Sequence, residues 1–197
     1  MIYRKIPSII ILLFVACLQV FSVTTLSSTQ FQIHWNIRNT TQKEAEIGLY
    51  SFGTNTALQT TTISLVPAYG EQGICTMYYT TNYMGKSAES PVTHHFSVKV
   101  TPLLNTQDST NKLPVVLYVK RDSVTDLTLE TVPVTIEQIT TLADAQSTFN
   151  VNVVGINLNR VTLLFDFYVD LTKALNSQSM VASAVYSSNI TVGVEAP

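Results

Sequence analysis

The stretch FQIHWNIR, residues 31–38, alternates strictly between apolar and polar side chains. Its apolar members share one side: Phe31, Ile33, Trp35 and Ile37. Successive side chains of an extended chain point to opposite faces of a sheet. A period of two sustained over this length therefore predicts a β-strand with one buried face.

Similar runs follow along the rest of the chain, which is rich in β-branched and uncharged polar residues that suit antiparallel strands. Turn-forming stretches such as PAYGEQG, NYMGKSAESP and NTQDSTNKLP separate them. The strands predicted after the first one cover residues 46–52, 61–66, 73–80, 94–101, 114–120, 127–136, 148–155, 161–171, 180–186 and 189–195. This pattern predicts an all-β fold, a single antiparallel β-sandwich of immunoglobulin-like or pilin-like type. Helical turns are expected only at residues 138–146 and 171–177.

The strand predicted at residues 161–171 is apolar at every odd-numbered position, and we expect it to lie in the middle of a sheet. Asp166 and Asp170 share its other face. Two carboxylates on one face are compatible with a cation site or a general acid/base pair. No third acidic ligand lies nearby in sequence, so the preferred interpretation is a pair of solvated aspartates at the sheet margin.

The N-terminal residues have the three-part layout of a secretory signal. Arg4 and Lys5 supply positive charge, residues 9–21 are largely apolar, and polar residues follow. The apolar part is short for a membrane span, which needs about 20 residues. We therefore predict that residues 1–22 are removed, and that residues 23–197 form one domain that is secreted, cell-surface or periplasmic.

Two processing sites compete within this signal. Val20 and Ser22 are modest side chains at the positions that a signal peptidase inspects, which favours cleavage after Ser22. Residues 14–17, FVAC, resemble the lipobox of bacterial lipoproteins, and the resemblance makes Cys17 a candidate for lipidation. An uncleaved anchor is the third alternative, and membrane association is otherwise not expected.

The composition of the chain argues against nucleic-acid binding and against a stabilising disulfide. Charged residues make up 12% of the chain and the formal net charge is −2, so no basic surface for nucleic acid is expected. Cleavage after Ser22 leaves Cys75 as the single cysteine, and no intramolecular disulfide can form. We predict that Cys75 is a buried thiol.

Sequence motifs of catalysis are absent: no G-x-S-x-G, H-E-x-x-H, P-loop or G-x-G-x-x-G pattern occurs. The adjacent His94 and His95 should face opposite ways on a strand and so cannot readily chelate one ion. We predict no enzyme activity, no catalytic or metal site and no cofactor. Asn39 and Asn189 match the N-glycosylation pattern.

The C-terminal stretch VYSSNITVGVEAP, residues 185–197, alternates at Ile190, Val192 and Val194. With Tyr186 it resembles the closing strand of bacterial pilin-type subunits, the chaperone–usher and spore-coat-U-like groups. The resemblance implies an incomplete sandwich whose missing strand comes from a neighbouring subunit by β-augmentation. The expected donor is residues 23–37, with a stripe formed by Phe31, Ile33, Trp35 and Ile37.

Three functional hypotheses follow. The first is a secreted or cell-surface structural subunit of a fibre or other extracellular assembly, joined by strand exchange and thus partnered by itself or an envelope protein. The alternative is a cell-envelope or extracellular binding module, with or without a lipid anchor, whose loops carry recognition through Tyr69, Tyr83 and Lys86. The third is a hydrolase with an unrecognised site at Asp166, which the absence of motifs disfavours.

Overall fold

The computed structural model of the chain describes residues 29–39, 45–121, 135–140 and 145–195. Nearly all of its regular structure is β-strand. In chain order the elements are β1 (Gln30–Asn39), β2 (Ala45–Ser51), β3 (Thr62–Leu65), β4 (Glu71–Thr81), β5 (Val92–Val100), β6 (Leu103–Asn105), β7 (Lys112–Leu113), β8 (Val115–Arg121), β9 (Thr135–Thr140), β10 (Ala145–Val153), β11 (Val161–Asp170), α1 (Thr172–Leu175) and β12 (Val185–Glu195). No helix within these described ranges is both long and apolar enough to cross a membrane.

Two sheets pack face to face. The first has the strand order β10-β5-β12-β1-β3, with the short β6–β7 hairpin attached to β12. The second has the order β2-β4-β11-β8-β9. The all-β sandwich predicted from the sequence is therefore confirmed.

One strand pair departs from the antiparallel arrangement expected from the sequence. β1 runs parallel to β12, from Gln30 opposite Val185 to Asn39 opposite Val194. A tight hairpin forces its two strands to be antiparallel, but β1 and β12 lie at opposite ends of the described chain. Their relative direction is set by the path of the whole chain, which no local pattern records.

The core lies between the inner faces of the sheets. Phe31 and Ile33 of β1 are fully buried and Trp35 nearly so, as the alternation predicted, whereas Ile37 is only half-buried. Trp35 meets Phe167 of β11 edge to face, with ring centroids 4.9 Å apart. Such contacts join the two sheets directly and contribute about 1 kcal/mol beyond their buried area.

β11 lies between β4 and β8, which confirms its predicted central position. Its odd-numbered side chains are buried and its even-numbered ones half-buried. The helical turn expected at residues 171–177 is also confirmed, as α1.

The helical turn expected at residues 138–146 is absent from both described ends of that segment. β9 ends at Thr140 and β10 begins at Ala145, so both ends of that segment are extended. β9 pairs with β8 and β10 with β5, and these long-range pairings override a weak local preference.

Other differences concern strand boundaries. β12 is one continuous strand where the sequence suggested two, and the turn expected at residues 105–114 contains β7 and the last residue of β6. The strand predicted at residues 127–136 overlaps the described residues only where β9 begins. The predicted signal at residues 1–22, with Cys17, lies outside the described residues, as does the side chain of Asn39.

Candidate functional site

The outer face of the second sheet carries a group of five aromatic rings, here called the aromatic face: Tyr50, Phe52, Tyr78, Tyr118 and Tyr168. The strand register explains the grouping. Tyr78 of β4 lies opposite Gly48 of β2, and Tyr168 of β11 lies opposite Tyr118 of β8. Because alternate residues of a strand share a face, these rings all project away from the core.

Two glycines allow rings to lie flat against this sheet. A Cβ atom at Gly48 would overlap the ring of Tyr78, and one at Gly73 would overlap the ring of Phe52. Tyr78 also stacks on Tyr50, with centroids 4.5 Å apart and planes inclined by 27°. The result is a ring platform close to the backbone, of which Phe52 is 37% exposed.

A small pocket of about 230 Å³ opens beside this platform. The residues that line it are Gly53, Thr54, Asn55, Thr76, Leu164 and Asp166. At its base, Thr76 Oγ1 donates a hydrogen bond to Asp166 Oδ1 at 2.5 Å. The pocket therefore has a polar floor next to the ring platform, because Thr76 lies opposite Tyr50 in the strand register.

The loop that forms one wall of the pocket is held by its own hydrogen bonds. Both the backbone N and Oγ1 of Thr54 donate to the carbonyl of Ser51, at 3.0 and 2.9 Å. Thr56 N donates to Thr54 Oγ1 at 3.1 Å. Gly53 adopts φ 68°, a left-handed conformation that glycine reaches without steric cost. This wall is thus formed before any ligand arrives.

Charges on the aromatic face are mostly paired. Lys120 donates to Glu71 and lies over the Tyr168 ring, 4.4 Å from its centroid, and the hydrogen bond to Glu71 raises the pKa of Lys120. Glu46 lies 3.8 Å from Arg160 and accepts a hydrogen bond from Tyr78 Oη. Burial, followed by the charge of Glu46, raises the pKa of Tyr78, so its hydroxyl stays protonated at neutral pH.

Asp166 differs from these two glutamates. Within the described ranges its side chain has a hydrogen bond to Thr76 and no ion pair. Asp170 Oδ1 accepts from the backbone N of Thr172 at 2.7 Å and so fixes the start of α1. The two aspartates do not act together, and the described residues contain no group of three or more potential metal ligands.

Cys75 lies on the inner side of the same sheet and is fully buried, which confirms the prediction of a buried thiol. Burial and the nearby charge of Asp166 raise the pKa of this thiol well above its ordinary value. It remains a protonated core side chain rather than a nucleophile.

The predicted recognition residues do not meet in space. Tyr69 is 61% exposed in the turn before β4, whereas Tyr83 and Lys86 follow the end of β4. An extended strand of this length separates them by roughly 33 Å. Lys86 Nζ donates to the carbonyl of Leu158 at 3.3 Å, and Tyr83 packs against the ring of His94.

His94 and His95 face opposite ways, as the alternation predicted. His94 is fully buried; its Nε2 donates to the Tyr83 carbonyl at 2.8 Å, and its Nδ1 lies 2.9 Å from Tyr79 Oη. This burial lowers the pKa of His94. His95 is exposed and bonds Asn150 at 2.7 Å, so the two imidazoles share no ligand.

The predicted donor residues Phe31, Ile33, Trp35 and Ile37 lie in the chain's own sheet. β1 is inserted between β12 and β3, and the pairing with β12 extends along its whole length. Asn189 is exposed on β12, and its backbone N donates to Thr101 Oγ1. Its glycosylation stays a prediction.

A larger groove of about 440 Å³ crosses the outer face of the first sheet above Gly193. Its lining combines polar and apolar groups and includes the exposed imidazole of His95, whereas the ring of Phe96 is buried in the core. No Phe, Tyr or Trp ring is therefore exposed among the residues that line the groove. The smaller pocket has polar groups in its lining and the ring platform beside it, because Thr76 lies opposite Tyr50 in the strand register.

Sequence reasoning missed the aromatic face. The available signal was the outward side of β11, where Tyr168 follows Asp166 at a spacing of two, and the corresponding tyrosines of β2 and β4. Which strands lie side by side was needed to see that these residues form one surface.

No protein-family model matches the chain, and no curated protein matches it in sequence. Among solved structures, the chain is similar to the enzymatically active domain of bacteriophage CBA120 tailspike protein 4 at 10% identity, with a TM-score of 0.20. That match covers 82% of this chain and 19% of the tailspike chain. A second match is TmCBM61 in complex with β-1,4-galactotriose, at 7% identity and a TM-score of 0.21, covering 66% of this chain and 84% of that one. At these scores neither structure provides evidence about the function of this chain.

Proposed function

We propose that this protein is an exported, extracellular or cell-surface binding module whose ligand lies on the aromatic face. The observation that supports it is the ring platform of Tyr50 and Tyr78 beside the pocket that contains Asp166. Export is inferred from the N-terminal signal pattern. In this proposal recognition lies on a sheet face, rather than on the loops of Tyr69, Tyr83 and Lys86.

Large rings on the outer face of the second sheet favour binding of a ligand that covers them. Half-buried tyrosines on an outer sheet face leave apolar ring surface in water, and a ligand that covers this surface gains about 25 cal/mol per Å². Rings held against Gly48 and Gly73 lose little conformational entropy on binding, because they are already fixed. No catalytic step is part of the proposal, and no cofactor is required.

The test is binding of the purified domain to the surface fraction of the producing cells. The double variant Tyr50→Ala/Tyr78→Ala removes the platform, and we expect it to bind at least about tenfold more weakly than the wild type. Bound protein is measured by co-sedimentation over a range of protein concentrations.

The matched control is Tyr69→Ala, which removes an exposed tyrosine from a turn outside the aromatic face. It should bind like the wild type. If Tyr69→Ala loses binding and the double variant keeps it, recognition lies in the loops and the proposed site is wrong. If the wild type does not bind the surface fraction at all, the function itself is wrong.

A second candidate function is the structural subunit of a fibre, which the pilin-like closing strand suggests. The observation that favours it is the insertion of β1 between β12 and β3, with β12 as its parallel neighbour. A strand from a second copy could form the same hydrogen bonds if β1 of the first copy left. Its partner would then be another copy of this chain. A disulfide that links β1 to β12 tests this candidate function.

A further inference from the structure

We infer that the ligand of the aromatic face is an uncharged polysaccharide chain. This inference rests on the proposed function and names the chemical class of its ligand. Its basis is the juxtaposition of half-buried tyrosine rings with the hydrogen-bonding groups of Asp166, Thr76 and Asn55.

The first step concerns the rings. A pyranose ring carries C–H groups on its faces and hydroxyl groups around its edge. The C–H face is attracted to the negative face of an aromatic ring, and its burial also removes apolar surface from water. The ring of Tyr78 lies over Gly48 and stacks on that of Tyr50, and the pair supplies such a surface.

The second step concerns the polar groups beside the rings. Asp166 uses Oδ1 to accept from Thr76, and Oδ2 has no hydrogen bond within the described part of the chain. A hydroxyl donor would satisfy this carboxylate oxygen through a charge-assisted bond, which is stronger than a neutral one. Asn55 lines the same pocket and carries both donors and an acceptor.

The third step concerns charge. Glu46 and Glu71 have cationic partners in Arg160 and Lys120, whereas Asp166, which lines the pocket, forms no ion pair among the described residues. An anionic sugar would lie close to this negative charge and would be repelled. A neutral sugar can donate a hydroxyl hydrogen bond to the same carboxylate without this electrostatic repulsion.

The fourth step concerns length. From the row of Tyr78 to the row of Tyr168 and Tyr118, the rings span four residue positions along the strands, roughly 13 Å. This distance exceeds one sugar ring. A linear chain of several sugars therefore matches the aromatic face better than a monosaccharide.

The experiment is affinity electrophoresis of the full mature domain in native gels that contain one soluble polysaccharide each. The neutral probes are dextran, laminarin, galactomannan and xyloglucan, and the charged comparisons are heparin and polygalacturonate. We expect at least one neutral polymer to retard the wild type and neither charged polymer to do so. The dissociation constant should rise by about tenfold in Asp166→Asn, which retains the shape of the side chain, and binding should be lost in Tyr50→Ala.

Tyr69→Ala is the matched control and should migrate like the wild type in every gel. Thermal unfolding of each variant separates loss of binding from loss of fold, and Asp166→Asn can still accept the hydrogen bond of Thr76. Equal retardation of the wild type, Tyr50→Ala and Asp166→Asn would show that the glycan binds elsewhere. Retardation by a charged polymer alone would contradict the charge argument.

The two binding measurements distinguish an error in the ligand class from an error in the proposed function. If no neutral polymer retards the wild type, but binding to the cell-surface fraction persists and depends on Tyr50 and Tyr78, the ligand is not a neutral polysaccharide and the binding function stands. If binding to both is absent, both proposals are wrong.

Discussion

His94 and His95 are neighbours in sequence but lie on opposite faces of β5. His94 is enclosed by Tyr79 and Tyr83, and its neutral form donates from Nε2 to a carbonyl. His95 lies on the exposed face beside Asn150. The alternation of the strand alone gives two identical side chains different environments.

Burial of His94 has a consequence for stability. It lowers the pKa of His94 in the folded protein, whereas the unfolded chain titrates near the ordinary value of about 6.5. As the pH falls through about 6.5, the unfolded state takes up a proton before the folded state does. We expect the free energy of unfolding to be highest above this pH, and to decrease as the pH falls from about 6.5 towards the lower pKa of the folded state.

Urea unfolding of the wild type and His94→Gln across this range measures the effect. The glutamine amide keeps a donor for the carbonyl of Tyr83 but does not titrate, so the stability of the variant should fall less at low pH. If the free energy of unfolding changes with pH in the same way for both proteins, His94 does not titrate differently in the folded and unfolded states.

At the scale of elements, the buried face of β1 can be predicted from the sequence, but its position in the sheet cannot. Its buried stripe of Phe31, Ile33 and Trp35 is readable from the sequence because side-chain alternation is local. Its place between β12 and β3 is not, because its partners lie far away along the chain. The same strand is compatible with a closed monomer and with an exchanged assembly.

A disulfide between β1 and β12 distinguishes these two states. Asn36 and Thr191 are register partners, and neighbouring strands are about 4.8 Å apart, within the Cα separation that a disulfide accepts. If fibres form by exchange of β1, the oxidised double variant Asn36→Cys/Thr191→Cys should stay monomeric in size-exclusion chromatography while the wild type assembles with concentration.

Reduction of the double variant should restore assembly, which controls for damage by the substitutions. A wild type that remains a monomer at every concentration would contradict the fibre candidate. Assembly of the oxidised variant would show that any polymer forms without release of β1.

At the scale of the whole molecule, export and processing decide where the aromatic face is presented. If residues 1–22 are a cleaved signal, the intact mass of protein from its native host should correspond to a chain that begins at Val23. N-terminal sequencing combined with intact mass spectrometry checks this.

The same spectrum distinguishes the alternatives. A mass increase from a diacylglycerol group with Cys17 as the first residue would replace free secretion by a lipid anchor. Glycan masses that disappear in Asn39→Gln or Asn189→Gln would identify the modified sites. A full-length mass would contradict cleavage.

The sequence by itself determined the features that depend on neighbouring residues. Alternation with a period of two determined many of the strands, the buried side of β1 and β11, and the opposed environments of His94 and His95. Each of these follows from the geometry of an extended chain, in which adjacent side chains point to opposite faces.

Only the tertiary structure decided which strands are neighbours. It paired β1 in parallel with β12, made strands of both ends of the segment expected to be helical, and separated Tyr69 from Tyr83 by the length of β4. It also brought tyrosines from four strands onto one outer face, around Asp166. Strand order is set by hydrogen bonds and packing between distant segments, and a local sequence pattern carries no record of such contacts.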